Sequence, residues 1–482
     1  MNRSKVLALI ILTGIVISCG FSFASTAQLT AAETTGTTPS RPNILLILTD
    51  DETTSDMSHM PQTKALIGGQ GVTFSNANVT YSLCCPSRAT IFRGQYAHNT
   101  GVLSNAPPLG AAPKFRSTGD DQSTVATWLQ DAGYQTAFFG KYLNNYGGNG
   151  DTYEPPGWDE WHALSGIFNQ GPRINNNGTV ETLSDGTIFD QALKSKADSY
   201  LQGTDPSKPF FMEFATHSPH SPYDYPASER TAFSAQSAPR DSATNEKNIS
   251  DKPSWLRHRY PDRLTTRQMN AIDAHYRDRM RAITMVDGMV AGLVQDLKDR
   301  GELDNTYIIF TSDNGWSYGD NRLRGKWNPY IPAHQVPMMM RGPGIPAGVS
   351  RSQFALNNDL APTISEWAGV TPPHTLDGRS LSPLLTTDAN PAWRTRFLYE
   401  GWHDPKYKPS PPRYQGIRTK TYSYTEYPGL SAKQRELYNL KNDPHQRHNV
   451  YDKASRKLKV SLHARLQKLS NCEGDACRTA ED

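Results

Sequence analysis

The stretch Asn43-Ile-Leu-Leu-Ile-Leu48 is apolar at every position, bounded by Pro42 before it and Thr49-Asp50-Asp51 after it. A strand with one wet face alternates polar and apolar residues. A strand without alternation is buried on both faces, as in a parallel sheet covered by helices. The rest of the chain has to supply the neighbours and the covering layers. Gln135 to Phe139, Pro209 to Ala215, Tyr307 to Phe310 and Gln335 to Met340 read as further strands. Ser123 to Ala132, capped by Ser123, Ile188 to Leu201, Gln268 to Arg300 and Asp359 to Ala368 read as helices. This alternation predicts an α/β fold with a large, mainly parallel central sheet flanked by helices.

After Leu385 the pattern changes. Gly416 to Tyr427 alternates as an exposed antiparallel strand does, and Leu437 to Leu440 suits another strand. Leu458, Leu462, Leu466 and Leu469 mark a basic amphipathic helix, whose expected role is to pack on the body with its charged face in water. The chain of 482 residues therefore divides into a catalytic-sized domain at 41–385 and a smaller C-terminal subdomain at 386–482. Ahead of them, Arg3, Lys5, the apolar run from Val6 to Ile17 and small residues near Ala24 and Ala27 read as a signal peptide over 1–27. A flexible leader over 28–40 follows. The signal fits release outside the cell. Its Val16-Ile17-Ser18-Cys19 also fits a bacterial lipoprotein signal with a lipid on Cys19, so a membrane enters only through such a lipid or through the signal kept as an uncleaved anchor. Lys and Arg number 50 against 47 Asp and Glu, with no polybasic block, so no nucleic-acid partner is expected.

Export bears on the five cysteines. Cys472 and Cys477 are close enough in a polar tail for a small-loop disulfide. Cys84 and Cys85 are left over. Pro86 belongs in a first helical turn, which puts Cys84 at a helix N-terminus, where negative charge is favoured. Buried, inert thiols are the competing reading.

In open α/β sheets, sites form beyond the carboxyl ends of the strands. Asp50-Asp51, Lys141, His217 with His220, and Asp313-Asn314 all fall there. Three carboxylates and an amide offer hard oxygen donors, which suit Ca²⁺ or Mg²⁺. Adding Lys141 and Arg88 describes a pocket for a tetrahedral anion, sulfate or phosphate. Spacing alone leaves the nucleophile open.

Cys84-x-Pro86-Ser87-Arg88 followed by Gly94 resembles the signature of the formylglycine-dependent (type I) sulfatases. Asp50-Asp51, Gly140-Lys141, Asp313-Asn314-Gly315, Arg341-Gly-Pro-Gly344 and Asp377-Gly-Arg-Ser-Leu381 fall in that family's order. The stretches around Cys84, Gly140 to Asn144 and Lys252 to Leu256 look most like its N-acetylglucosamine-6-sulfatase and extracellular heparan-sulfatase branch. The resemblance implies an alkaline-phosphatase-like sandwich and hydrolysis of sulfate monoesters, of 6-O-sulfated glucosamine in a glycosaminoglycan or of aryl sulfates. It implies that a formylglycine-generating enzyme converts Cys84 to Cα-formylglycine, whose hydrate attacks sulfur. A Ca²⁺ would be held by Asp50, Asp51, residue 84, Asp313 and Asn314. Arg88 would steady the hydrate, Lys141 and Lys326 would bind sulfate oxygens, and His220 would serve the leaving group. His217 and Asn144 are further substrate-binding candidates. Three positions depart from the family pattern: Arg93 stands for Thr, Leu143 for a histidine and Ile331 for an acidic residue.

Two other activities share these residues: a phosphate or phosphonate monoester hydrolase on the same scaffold, and an inactive glycan-binding relative. The polar insertion from Ser221 to Thr265, with Trp255, Arg257, His258 and Arg259, is either a surface loop or a cover that selects substrate. Asn78, Asn177 and Asn248 fit N-glycosylation acceptors, which only a eukaryotic secretory host would use.

Overall fold

A computed structural model describes residues 41–166, 168, 171–387, 391–407 and 410–482. The signal and leader segments lie outside them. The strands are β1 (Asn43–Thr49), β2 (Val72–Asn78), β3 (Gln135–Gly140), β4 (Glu160–Leu164), β5 (Arg173–Asn176), β6 (Thr179–Thr182), β7 (Phe210–Ala215), β8 (Thr306–Ser312), β9 (Ser317–Tyr318), β10 (Arg324–Gly325), β11 (Met338–Arg341) and β12 (Val349–Leu356). Ten of them form one sheet in the order β12-β2-β11-β8-β1-β7-β3-β4-β5-β6. The five central strands, β8 to β4, run parallel. Antiparallel pairs flank them, β11 with β2 and β8 on one side and β5 with β4 and β6 on the other.

β1 is buried at every position, as an unbroken apolar run requires. Ile44, Leu46 and Leu48 join one core, and Leu45 and Ile47 the other. Helices Cys84–Arg93, Val125–Asp131 and Leu360–Ala368 cover the first face. Phe189–Gly203 and the 34-residue helix Thr266–Asp299 cover the second. The result is the expected α/β sandwich. Among the described residues, no helix is long and apolar enough to cross a membrane.

The C-terminal part carries a four-stranded antiparallel sheet, β13 (Arg396–Gly401), β14 (Tyr414–Thr419), β15 (Tyr422–Glu426) and β16 (Glu436–Asn439), covered by helix Arg456–Leu469. The single strand expected over Gly416 to Tyr427 is two, turning at Lys420-Thr421. The tail closes with a Cys472–Cys477 disulfide. Asp377 ties that tail down, accepting from the backbone N–H of Tyr96 (2.7 Å) and of Gly474 (2.7 Å) and from Asn99 (2.8 Å).

The other differences are local. The helix after Ser123 is capped by Thr124, which forms a reciprocal box with Thr127. β11 begins at Met338, because Gln335 only bridges to Asn78. Asn78 is buried and bonds to the Asn76 carbonyl (2.9 Å), which removes it as a glycosylation acceptor; Asn177 and Asn248 are exposed.

Candidate active site

The carboxyl ends of four adjacent strands, β8, β1, β7 and β3, deliver Asp313-Asn314, Asp50-Asp51, His217 with His220, and Lys141 to one place. Backbone bonds fix the junction. Asp313 N–H donates to Thr49 O (3.0 Å), and Asp51 N–H donates to the Asp313 carboxylate (3.1 Å). Asp51 takes a positive φ of 75°, which turns the chain just beyond β1.

Helix Cys84–Arg93 points its N-terminus into the same place and stops at Gly94 in the left-handed region. Cys84 is fully buried, 3.5 Å from Asp50 Oδ1, 3.5 Å from Lys141 Nζ and 2.7 Å from Lys326 Nζ. Burial, then the Asp50 carboxylate, push its thiol up to about 12. Arg88, one turn on, shares its face. Its Nε lies 2.8 Å from Asp313 Oδ2, and it also donates to the Lys141 carbonyl. Lys326 arrives from the β9–β10 ribbon and contacts Asp51; Lys141 contacts Asp50. Three buried carboxylates therefore face three cations. Burial alone would raise Asp50, but Lys141, His220, Lys326 and Arg88 outweigh it and hold that carboxyl well below the usual range.

The donor set suits a hard cation. One ligand atom from each of Asp50, Asp51, Cys84 and Asp313 lies within 4.8 Å of all the others. Asn314 gives its amide N–H to Asp51 Oδ1 (2.6 Å), while its Oδ1 is buried with no hydrogen-bond partner among the described residues. An orphaned carbonyl oxygen beside three carboxylates is what an oxygen-coordinated metal would satisfy.

A cleft of about 290 Å³ opens over this centre, lined among others by Lys141, Asn144, His217, His220 and Tyr407. His220 is partly exposed; its Nδ1 lies 2.5 Å from Ser221 O and its Nε2 3.8 Å from Asp51. Burial, opposed by Asp50 and reinforced by Lys141, takes it down to about 4. His217 stacks on Phe168, centroids 4.0 Å apart. The Asn144 backbone N–H donates to Cys85 Sγ (2.9 Å), and the Cys85 thiol donates to Asn144 Oδ1 (3.2 Å), so Cys85 holds the cleft wall. All eleven candidates from the sequence thus meet around one centre.

Two residues escaped the sequence reading. Arg279, buried on the long helix, donates to the Asp51 carbonyl (2.6 Å) and pairs with Asp56 (3.0 Å). Its only sequence signal is a cation inside the helix's apolar spacing. Tyr407, 40% exposed, reaches the cleft from the C-terminal part and stands edge-on to Trp327. Nothing in its polar surroundings marks it. The departures settle as packing. Arg93 bonds Gln95 Oε1 and the Asp120 and Ser123 carbonyls, Leu143 is core, and Ile331 N–H bonds Gln446. Trp255, Arg257, His258 and Arg259 do not line the cleft; of the insertion, Ser221 and Pro222 do. Trp255 packs on Tyr427 instead.

The model of the sulfatase family matches residues 42–370, and that of the N-sulphoglucosamine sulphohydrolase C-terminal region matches 319–472. The chain is 34% identical to N-acetylglucosamine-6-sulfatase of Capra hircus, over 91% of this chain and 85% of that protein. It is 31% identical to an arylsulfatase of Volvox carteri, over 93% and 77%. A solved structure described as a complex with its substrate D-glucosamine-2-N,6-O-disulfate superimposes with a TM-score of 0.75 at 26% identity, covering 91% of this chain and 98% of that one.

Proposed function

The chain belongs to the sulfatase family, in the branch of the N-acetylglucosamine-6-sulfatases, and from that premise we propose that it removes 6-O-sulfate from glucosamine units of sulfated glycans. It is a sulfuric ester hydrolase. The likeness to N-acetylglucosamine-6-sulfatase supports the substrate, and the meeting of Asp50, Asp51, Asp313 and Cys84 within 4.8 Å, with two lysine ammonium groups against Cys84, carries the chemistry.

In this reading Cys84 is converted by a formylglycine-generating enzyme to Cα-formylglycine. Residue 84, as its hydrated aldehyde, would present one hydroxyl to sulfur and a second whose deprotonation would expel sulfate and re-form the aldehyde. Asp50, Asp51, Asp313, Asn314 and residue 84 would hold Ca²⁺, which supplies positive charge against the negative charge on the sulfate oxygens. Lys141 and Lys326 flank residue 84 and present N–H donors to the same group. Arg88 gives Nε to Asp313 and Nη1 to the Lys141 carbonyl, while its buried Nη2, without a hydrogen-bond partner among the described residues, would steady the hydrate. His220 keeps one ring N–H, at Nδ1, on Ser221 O; in its protonated form the second, at Nε2, would pass to the ester oxygen as the S–O bond breaks and the alcohol leaves. His217 and Asn144 line the sugar side of the cleft. The signal segment would take the protein out of the cytoplasm, free or lipid-anchored.

The test is sulfate release from 6-O-sulfated N-acetylglucosamine, an aryl sulfate and an aryl phosphate. Both sulfates are expected to be cleaved, with kcat/KM for the sugar above that for the phosphate. Faster phosphate cleavage would move the activity to phosphate or phosphonate esters, and an unmodified thiol at residue 84 in active protein would remove the formylglycine step.

Arg279 gives a second expectation. Arg279→Met should lower kcat/KM about 10–100-fold, the usual effect of losing a group that orients a metal ligand. Arg279→Lys should recover part of it. Titrating Ca²⁺ against activity checks the cause: the half-saturating concentration should rise in Arg279→Met.

A further inference from the structure

A second hollow, of about 410 Å³, lies beside the catalytic cleft and takes no part in the chemistry above. The two share a wall, since Tyr142, Asn145 and Tyr146 border both. Across from that wall stand Arg116, Asp151 and Tyr153.

The wall is rigid. Ala112 N–H donates to the Asn144 carbonyl (3.0 Å), and Asn145 Nδ2 donates to the Asn105 carbonyl (3.0 Å). The Tyr146 hydroxyl donates to the Tyr153 carbonyl (2.6 Å), and the Tyr153 hydroxyl to Asp121 (2.6 Å). Asn145, exposed and at a φ of 60°, forms the crest between the two hollows. The far side is open. Arg116 and Asp151 are about half exposed, 3.2 Å apart, and that contact is the only hydrogen bond the guanidinium makes among the described residues. The guanidinium lies over the Tyr153 ring, 3.6 Å from its centroid.

A pyranose offers an apolar C–H face and an edge of hydroxyls, often with an acidic substituent. Aromatic walls suit the face, carboxylates accept from hydroxyls, and a planar arginine fork with spare donors suits a carboxylate or sulfate. This lining supplies all three kinds of group in a volume at the lower end of the usual range for ligand sites. We propose that the hollow is a subsite for the sugar next to the one carrying the scissile sulfate, with Arg116 addressing its acidic substituent. The proposal rests on the sulfated-glycan reading and deepens it: the enzyme would act on a chain rather than on free monosaccharide.

The experiment compares kcat/KM for 6-O-sulfated glucosamine as a monosaccharide and as the terminal unit of a uronate-containing disaccharide and trisaccharide. The parent enzyme is expected to favour the longer substrates about tenfold. Arg116→Ala, at a half-exposed position that puts folding at little risk, should collapse that ratio toward one, mainly through KM. Arg116→Lys should keep part of it, and Tyr153→Ala should act like Arg116→Ala. A parent without chain-length preference, or a preference unchanged in Arg116→Ala, overturns the subsite while leaving the sulfatase reading intact. Failure of the parent on every glucosamine sulfate overturns the substrate reading itself.

Discussion

Replacing Cys84 by serine is expected to lower steady-state kcat/KM for sulfate esters by about 10⁴-fold or more, the scale of losing a covalent nucleophile. The variant should fold, because a hydroxyl fills nearly the space of the thiol and has Asp50 and two lysines to bond with. What it loses is the second hydroxyl of a hydrated aldehyde. A serine that attacked sulfur would become a stable sulfate ester with no internal exit. Incubation with substrate should therefore give at most one turnover, and mass spectrometry of the peptide spanning residue 84 should find it sulfated. In the parent, the same peptide should have lost sulfur and two hydrogens and gained one oxygen. A serine variant turning over within tenfold of the parent would sink the role assigned to residue 84.

Asp313→Asn should be nearly as damaging, for two separable reasons. Asp313 and Arg88 are both essentially inaccessible and 2.8 Å apart. Removing the carboxylate charge leaves a buried guanidinium short of compensation, a change that costs about 3–5 kcal/mol when such a pair is broken. It also removes one of the three carboxylates offered to the metal, and activity should fall more than about 100-fold. Thermal unfolding separates the two. In the parent, Ca²⁺ should raise Tm, with a stabilisation near 2.7 kcal/mol at a concentration one hundred times Kd. In Asp313→Asn the Tm without Ca²⁺ should be lower and the response to Ca²⁺ lost. An unchanged Ca²⁺ response would remove Asp313 from the metal set.

Much of this centre was legible because burial leaves a mark on sequence. The apolar runs of β1, β7 and β8 have no alternation, and their polar ends stand out against them. What failed to show were elements with a weaker mark. β4, β5 and β6, toward one end of the sheet, are short and mixed in polarity and gave no period to read. The turn at Lys420-Thr421 lacks glycine, proline or asparagine, so the hairpin read as one strand. Arg279 and Tyr407 reach the centre through tertiary packing alone, from a helix and from a loop far along the chain. The site residues at strand ends are set by local sequence; those that buttress or cover them are set by what the fold brings near.

The insertion is pinned along its length. Lys252 is buried and bonded to the Tyr438 hydroxyl (3.2 Å) and to the carbonyls of Gln446 and Arg447 (the latter at 3.0 Å), with Glu246 3.6 Å away. Arg322, near Lys326 in sequence, gives its N–H groups to the carbonyls of Glu246, Lys247, Tyr260 and Pro261. Asn449 clasps Asp251 from the C-terminal part. A segment pinned at so many points has already lost its freedom on folding. These pinned residues stand outside the cleft, so substrate binding should order none of them, and no contact free energy should be consumed as their loop entropy.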